Sequence, residues 1–259
     1  MDNVWACRQL LVLLALIFST TALTQEKNDL RELSFFTETY PPANFLVDDK
    51  ITGYSVDILL AASEIVGEPV DLEQLTLQPW ARSYRTVLTE QNSVLFSTTR
   101  SEHRENLFKW VGPIAEIKVV VLARKDSGIE ITRPMDMANY RIGVIRDDIG
   151  EQSLLELGIP RNSMQEANYV TVLAEQLMKK RIDLLVYSQR AAYWWSKQAG
   201  LDPDLFQPVY LVREGDVYFA FNKLTDSTVI EKLQRGLDLL KSTKGESGQT
   251  LYEEILSKY

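Results

Sequence analysis

Apolar residues follow two rhythms along this chain. Short β-branched and aromatic runs, LSFFTE, ITGYS, SVLFST, IKVVVLA, YRIGVI, RIDLLVY and DVYFAF, read as strands. Between them, apolar positions return every three or four residues. That spacing predicts helices over Val56–Val66, Ala81–Gln91, Gly150–Leu157, Val170–Lys180, Ser188–Ala199 and Asp226–Thr243. In the first of these, Ile58, Leu59, Ala62, Ile65 and Val66 share one face, which reads as core packing, and Gly67, Glu68 and Pro69 stop the helix. Strand and helix alternate throughout, the pattern of an α/β protein. No internal repeat appears, and no Pro-rich or Ser-rich linker divides the chain. One domain fits this, and so do two lobes joined by strands.

The N-terminal segment has a different character. Leu10 to Phe18 is wholly apolar, follows Arg8 and gives way to the small and polar stretch STTALTQ, the layout of a secretory leader. A bilayer-spanning helix takes about twenty apolar residues, far more than this run supplies. Residues 1–22 are therefore expected to be a signal peptide cleaved after Ala22, leaving a free periplasmic protein. Cys7 is the only cysteine and lies ahead of the apolar run, so the mature chain is expected to carry neither a thiol nor a lipid anchor. Its stability has to come from an ordinary core, which its length permits.

Composition narrows the chemistry. A formal charge of −8 and a pI near 4.9 disfavour nucleic acid as a partner, because neutralising phosphates takes clustered Lys and Arg. His103 is the sole histidine, and zinc and copper sites draw on His and Cys. It sits in the charged stretch SEHREN, where an exposed helical histidine is the simplest reading. No Gly-rich phosphate loop occurs, and neither a metal nor a cofactor is expected.

One segment carries anion-binding chemistry of its own. In FSTTRSEHR a strand ends in hydroxyl residues and a helix-like charged stretch follows. Ser97, Thr98 and Thr99 can each donate to a carboxylate, and Arg104, five residues past Thr99, offers a planar fork of N–H donors. The same residues also allow Thr99 simply to cap the helix while Arg104 pairs with a surface acid.

Read in order, YPPANF, ITGYSVDIL, FSTTRSEHRENLFKWVGPI, YRIGVIRDDIGEQ and RIDLLVY resemble the periplasmic solute-binding proteins of amino-acid-type ABC transporters, family 3 of the bacterial extracellular solute-binding proteins. The resemblance runs from about Leu33 to the C-terminus. PWARSYRTVL followed by FSTTRSEHR is similar to a less characterised branch, so the family is clearer than the ligand. The implied fold is α/β, a two-lobed periplasmic-binding-protein-like fold of type II whose lobes are joined by two crossover strands. Residues 23–120 would form the first part of lobe one, 121–217 lobe two, and 218–259 the return to lobe one. A solute would bind in the crevice between the lobes, where helix N-termini and loop amides gather.

The resemblance also implies roles. Arg104 matches the position that grips a ligand carboxylate, and Tyr40 the position that lays a ring over the ligand. Trp80, opening a helix after Pro79, would form another apolar wall, with Arg82 as a neighbour, while Arg100 has no assigned role. Trp194 and Trp195 fall in a helix of lobe two and read as core and surface. Asp183 matches a structural aspartate. VIRDDIGEQ resembles the second lobe's donor loop, but Asp148 and Ile149 stand where small hydroxyl residues are expected. Ser188 stands where the family has an acid for the α-ammonium, which favours carboxylates lacking a free ammonium unless Asp147 or Asp148 substitutes.

The implied function is periplasmic capture of a small polar solute, an amino acid, a derivative or a related carboxylate, by a monomer that delivers it to an inner-membrane ABC permease. Such a protein is not an enzyme. Two alternatives use the same fold: an exported dehydratase-like enzyme, for which Glu38, Asp148 and Glu151 are the available acids, and a ligand-sensing protein that addresses a membrane receptor.

Overall fold

The computed structural model describes residues 29–198 and 202–259; the expected leader lies outside them. The first lobe begins with β1 (Ser34–Thr37), the hairpin of β2 (Phe45–Val47) and β3 (Lys50–Thr52), and α1 (Tyr54–Ile65). It continues through β4 (Leu75–Leu77), α2 (Trp80–Thr89), β5 (Ser93–Thr99) and the single turn α3 (Glu102–Glu105). The 17-residue strand β6 (Phe108–Arg124) leads out of it. The second lobe contains β7 (Ile142–Ile145), α4 (Ile149–Glu156), β8 (Met164–Ala167), α5 (Val170–Met178), β9 (Leu184–Ser188) and α6 (Gln189–Gln198). A second 17-residue strand, β10 (Phe206–Asn222), returns to the first lobe, which α7 (Ser227–Ser242) and α8 (Leu251–Leu256) complete.

One eight-stranded sheet, ordered β4-β1-β5-β10-β6-β9-β7-β8, runs through both lobes. At each end the strands are parallel to one another, whereas β10 and β6 pair antiparallel from Phe206↔Arg124 to Asn222↔Phe108. Three register shifts interrupt that pairing, the last between Val217 and Phe219. Such shifts bend and twist a ribbon, and these two long strands are the connections between the lobes. Every residue of β5 and β9 is buried, as expected of strands covered by helices on both faces. Their carboxyl ends, Thr99 and Ser188, are thereby aimed at the seam between the lobes.

Close backbone approach fixes how α1 sits. Gly53, its N-cap, has φ +126°, and a Cβ there would lie 2.2 Å from the Ala43 carbonyl oxygen. Gly236 of α7 lies equally close, 2.2 Å, to the carbonyl of Ala62 in α1. Only glycine permits either contact. Gly53 also explains a departure from the sequence reading of ITGYS as a strand. The strand stops at Thr52, the chain turns at Gly53, and Tyr54 and Ser55 already belong to α1, buried.

The other expected helices lie within two residues of their observed bounds at the ends that can be compared, with Asp226 and Thr243 acting as caps rather than members of α7. Ser188 belongs to β9 and not to the following helix. Strands β2, β4 and β8 and helix α8 were not anticipated. They span three to six residues, too few to display a period. Among the described residues no helix is long and apolar enough to cross a membrane.

Candidate ligand-binding site

The seam is built around Arg104. It lies on the single turn α3, just past the end of β5, and is wholly buried, the largest such side chain among the described residues. Its guanidinium spans the lobes. Nη1 donates to the Thr99 carbonyl at 3.3 Å, Nε to Gln152 Oε1 at 2.9 Å, and Nη2 to the Asp147 carbonyl at 3.2 Å. The rings of Trp80 and Tyr84, one helical turn apart on α2, lie 5.2 and 5.3 Å from the guanidinium carbon. Burial pushes the pKa of Arg104 down, and Asp148 and Tyr84 push it back up.

The loop that meets it is held in an unusual conformation. Asp147 has φ +59°, a left-handed value that aspartate tolerates better than most residues. The Glu151 carboxylate accepts its amide at 2.7 Å and pairs with Arg161 at 2.6 Å. Its carbonyl is thereby presented to three donors: Trp80 Nε1 at 2.8 Å, Gln152 Nε2 at 3.1 Å and Arg104. Asp148 follows as N-cap of α4, accepting the Gly150 amide at 3.5 Å.

A cavity of about 10 Å³ opens beside Arg104, lined by Glu38, Tyr40, Trp80, Ser97, Thr99, Arg104, Val119, Asp148, Ile149 and Ser188. It has room for about one water molecule. A larger space of about 730 Å³ adjoins it and shares Tyr40 and Ser188 in its lining. That space is walled by Pro41, Tyr54 and Tyr193 and floored by the hinge residues Glu116, Lys118, Glu214 and Asp216. The larger space has the volume; the smaller one has the buried guanidinium.

The carboxyls of Glu38 and Asp148 lie deep in the seam although both side chains keep some surface open to the cavity. Burial raises the pKa of each, and the charge of Asp148 raises Glu38 further, while Arg104 opposes both shifts. Burial likewise pushes the hydroxyls of Tyr40 and Tyr187 well above their usual range. These two rings meet edge to face at 5.7 Å, and Tyr40 and Ser188 line both cavities.

Seven of the eight residues singled out from sequence line this cavity: Tyr40, Trp80, Ser97, Thr99, Arg104, Asp148 and Ser188. Thr98 does not. Strand alternation turns its side chain to the other face of β5, where its hydroxyl donates to the Leu95 carbonyl at 3.2 Å. The Ser97 hydroxyl is already engaged, donating to Asn44 Oδ1 and lying 2.9 Å from Ser55 Oγ. Trp80 is more than an apolar wall, because it both floors the guanidinium and bonds across the seam. Arg82 is exposed on α2 and lies outside the cavity lining.

Arg100, His103 and Glu151 stand outside the cavity lining as well. Arg100 pairs with Glu105 and stacks near Trp110 and Tyr218, and His103 is exposed. Asp183 holds Arg141 through both carboxylate oxygens. Trp194 reaches from α6 to Phe45 of the first lobe, ring centres 5.3 Å apart, so it bridges the seam rather than packing within one lobe. Sequence reasoning missed Gln152 and Tyr84. Helical spacing could have pointed to both, four residues after Asp148 and Trp80 respectively.

Residues 34–253 match the profile of the bacterial extracellular solute-binding proteins, family 3. The chain belongs to that family. Its fold is shared with solved family-like proteins of low sequence identity. An ancestral arginine-binding protein bound to arginine aligns with a TM-score of 0.73 at 19% identity, covering 88% of this chain and 97% of that one. A histidine kinase sensor domain with similarity to periplasmic binding proteins gives 0.75 at 20%, covering 88% and 96%. An arginine-, lysine-, histidine-binding protein from Geobacillus stearothermophilus gives 0.70 at 18%, covering 88% and 94%. Among curated proteins no sequence matches this chain. Members of this solute-binding family are binding proteins, and the seam between the lobes is where this chain gathers its buried charge.

Proposed function

We propose that this protein binds a small carboxylate-bearing solute, an amino acid or a close derivative, between its lobes in the periplasm, and hands it to an ABC permease without chemical change. The observation that carries the reading is Arg104. A guanidinium wholly removed from solvent, with neutral acceptors on both lobes and, among the described residues, no carboxylate within ion-pair distance, is matched to an anion that arrives from solution. The carboxylate would take the acceptor positions now filled by the Asp147 carbonyl and Gln152. The side group would extend past Tyr40 into the space of about 730 Å³, which falls in the usual range for small-ligand sites. A solute enters only when the lobes part, because the inner cavity holds about 10 Å³. Hinge motion about β6 and β10 would supply that step.

Calorimetry with purified protein and a panel of amino acids tests this. Saturable binding without turnover is expected. Arg104→Ala should weaken it at least tenfold, since a charge-assisted bond contributes about 1.5–3 kcal/mol and 1.4 kcal/mol is one decade. Unchanged affinity in Arg104→Ala would overturn the assignment. The similarity to a histidine kinase sensor domain favours a second reading, in which the loaded protein addresses a membrane receptor. Capture of a permease or of a receptor kinase by cross-linking in the presence of solute separates the two.

A further inference from the structure

One buried acid of the second lobe stands apart from the cavity. Glu151, in the first turn of α4, is 1% exposed and lies outside the cavity lining. Its two carboxylate oxygens have separate partners: Oε2 accepts the Asp147 amide at 2.7 Å, and Oε1 accepts Arg161 Nη1 at 2.6 Å. The same Arg161 nitrogen donates to Glu166 at 2.7 Å, and Glu166 also accepts Arg146 Nε at 2.8 Å. Arg146 and Asp147 are consecutive, so the loop is tied at both residues to one chain of alternating charges. Isolated surface ion pairs contribute little. This chain differs because it ends on a buried carboxylate and a backbone amide. What it holds is a left-handed residue, Asp147 at φ +59°, a conformation that a non-glycine residue keeps only where its surroundings impose it. In that conformation the Asp147 carbonyl crosses the seam and takes N–H groups of Trp80 and Arg104.

We propose that the Asp147 carbonyl is an internal competitor for Arg104, and that Glu151 is the positioning residue that holds it in place, so that a tie outside the cavity tunes solute affinity. This rests on the reading of the seam as the binding site and adds a residue that regulates it. Arg104 Nη2 donates to the Asp147 carbonyl at 3.2 Å, and a solute carboxylate needs that same donor. It reaches the nitrogen only as the carbonyl turns away. Turning it away requires residue 147 to leave its left-handed conformation, which the amide bond to Glu151 opposes. Competition of this kind lowers the apparent affinity in proportion to the fraction of molecules whose donor is free. Loosening the tie therefore strengthens binding, the reverse of what losing an ordinary structural contact does.

The test is calorimetry on the full mature protein with the twenty L-amino acids as probes, comparing the native chain with Glu151→Ala, Glu151→Gln and Arg104→Ala. Glu151→Ala should bind the accepted amino acids about two- to tenfold more tightly than the native chain, the range spanned by one ordinary hydrogen bond, while melting at a lower temperature. Glu151→Gln, whose amide oxygen can still accept the Asp147 N–H, should fall nearer the native affinity. Should Glu151→Ala fail to fold by circular dichroism, Arg161→Ala, at an exposed side chain, should give a smaller gain of the same sign. Binding that is unchanged or weaker in the folded variant, with Arg104→Ala still weakening it at least tenfold, would overturn the internal competitor and leave the carboxylate reading intact. Absence of amino-acid binding by the native protein, or indifference to Arg104→Ala, would overturn the seam as the site and the competitor with it.

Discussion

At the residue scale the seam is a small set of ionisable groups that change surroundings when the lobes meet. Glu38 and Asp148 face each other, Arg104, Tyr40 and Tyr187, and burial raises the proton affinity of both carboxyls in the closed arrangement. In an unfolded chain such acids titrate in the ordinary carboxyl range, near 4. The closed form therefore binds more protons over the interval between the ordinary and the raised values. Its stability is complete below the ordinary carboxyl range and declines as pH rises through the raised one. Melting of the solute-free protein should accordingly fall with increasing pH over that interval, and Glu38→Gln should flatten the dependence. A slope unaltered by Glu38→Gln would remove this pair as its source.

Elements are held by contacts more specific than their hydrophobic faces. The α1 and α7 helices can approach only because Gly236 presents no side chain to the Ala62 carbonyl. Gly236→Ala forces a methyl into backbone 2.2 Å away, and overpacking of this kind costs about 1–3 kcal/mol. For a chain of this size each kcal/mol corresponds to roughly 2–4 °C. A melting temperature lowered by several degrees, with solute affinity in the surviving folded protein unchanged, is the expected result; a melting temperature equal to that of the native protein would show that the helices can shift apart freely. The α2 helix works differently. Trp80 and Tyr84 face inward at one-turn spacing to floor Arg104, so this helix positions the site while α1 and α7 support the lobe.

For the whole molecule, closure depends on few polar clasps. Trp80 Nε1 and Arg104 Nη2 to the Asp147 carbonyl and Arg104 Nε to Gln152 join the lobes away from the hinge, and the ring contacts of Trp194 with Phe45 and of Tyr187 with Tyr40 add to them. Trp80→Phe keeps an aromatic floor but deletes a hydrogen bond of about 1 kcal/mol. The population should then move toward parted lobes, seen as a larger radius of gyration in small-angle scattering that returns to the native value on saturation with solute. An identical scattering profile for the two proteins would show that this bond does not hold the seam. Because parting of the lobes would take Phe45 away from Trp194, tryptophan emission offers an independent readout of the same step.

Several features of this protein are determined by the sequence alone. Period-two and period-3.6 apolar patterns locate the long elements, since burial of one face is a local property of spacing. The run FSTTRSEHR and the order of the family-like segments lead to Arg104, Thr99 and Tyr40. Tertiary structure decided the rest. Which of three consecutive hydroxyl residues faces the cavity depends on the pleat of β5 and its local φ values, with Ser97 at +57°, and the pattern of residue types is silent on that. Glu38, Asp148 and Tyr187 are 110 and 149 residues apart from first to second and first to last by number. Nothing in their own segments marks them as neighbours, and only the closing of two lobes on a shared sheet brings these groups together.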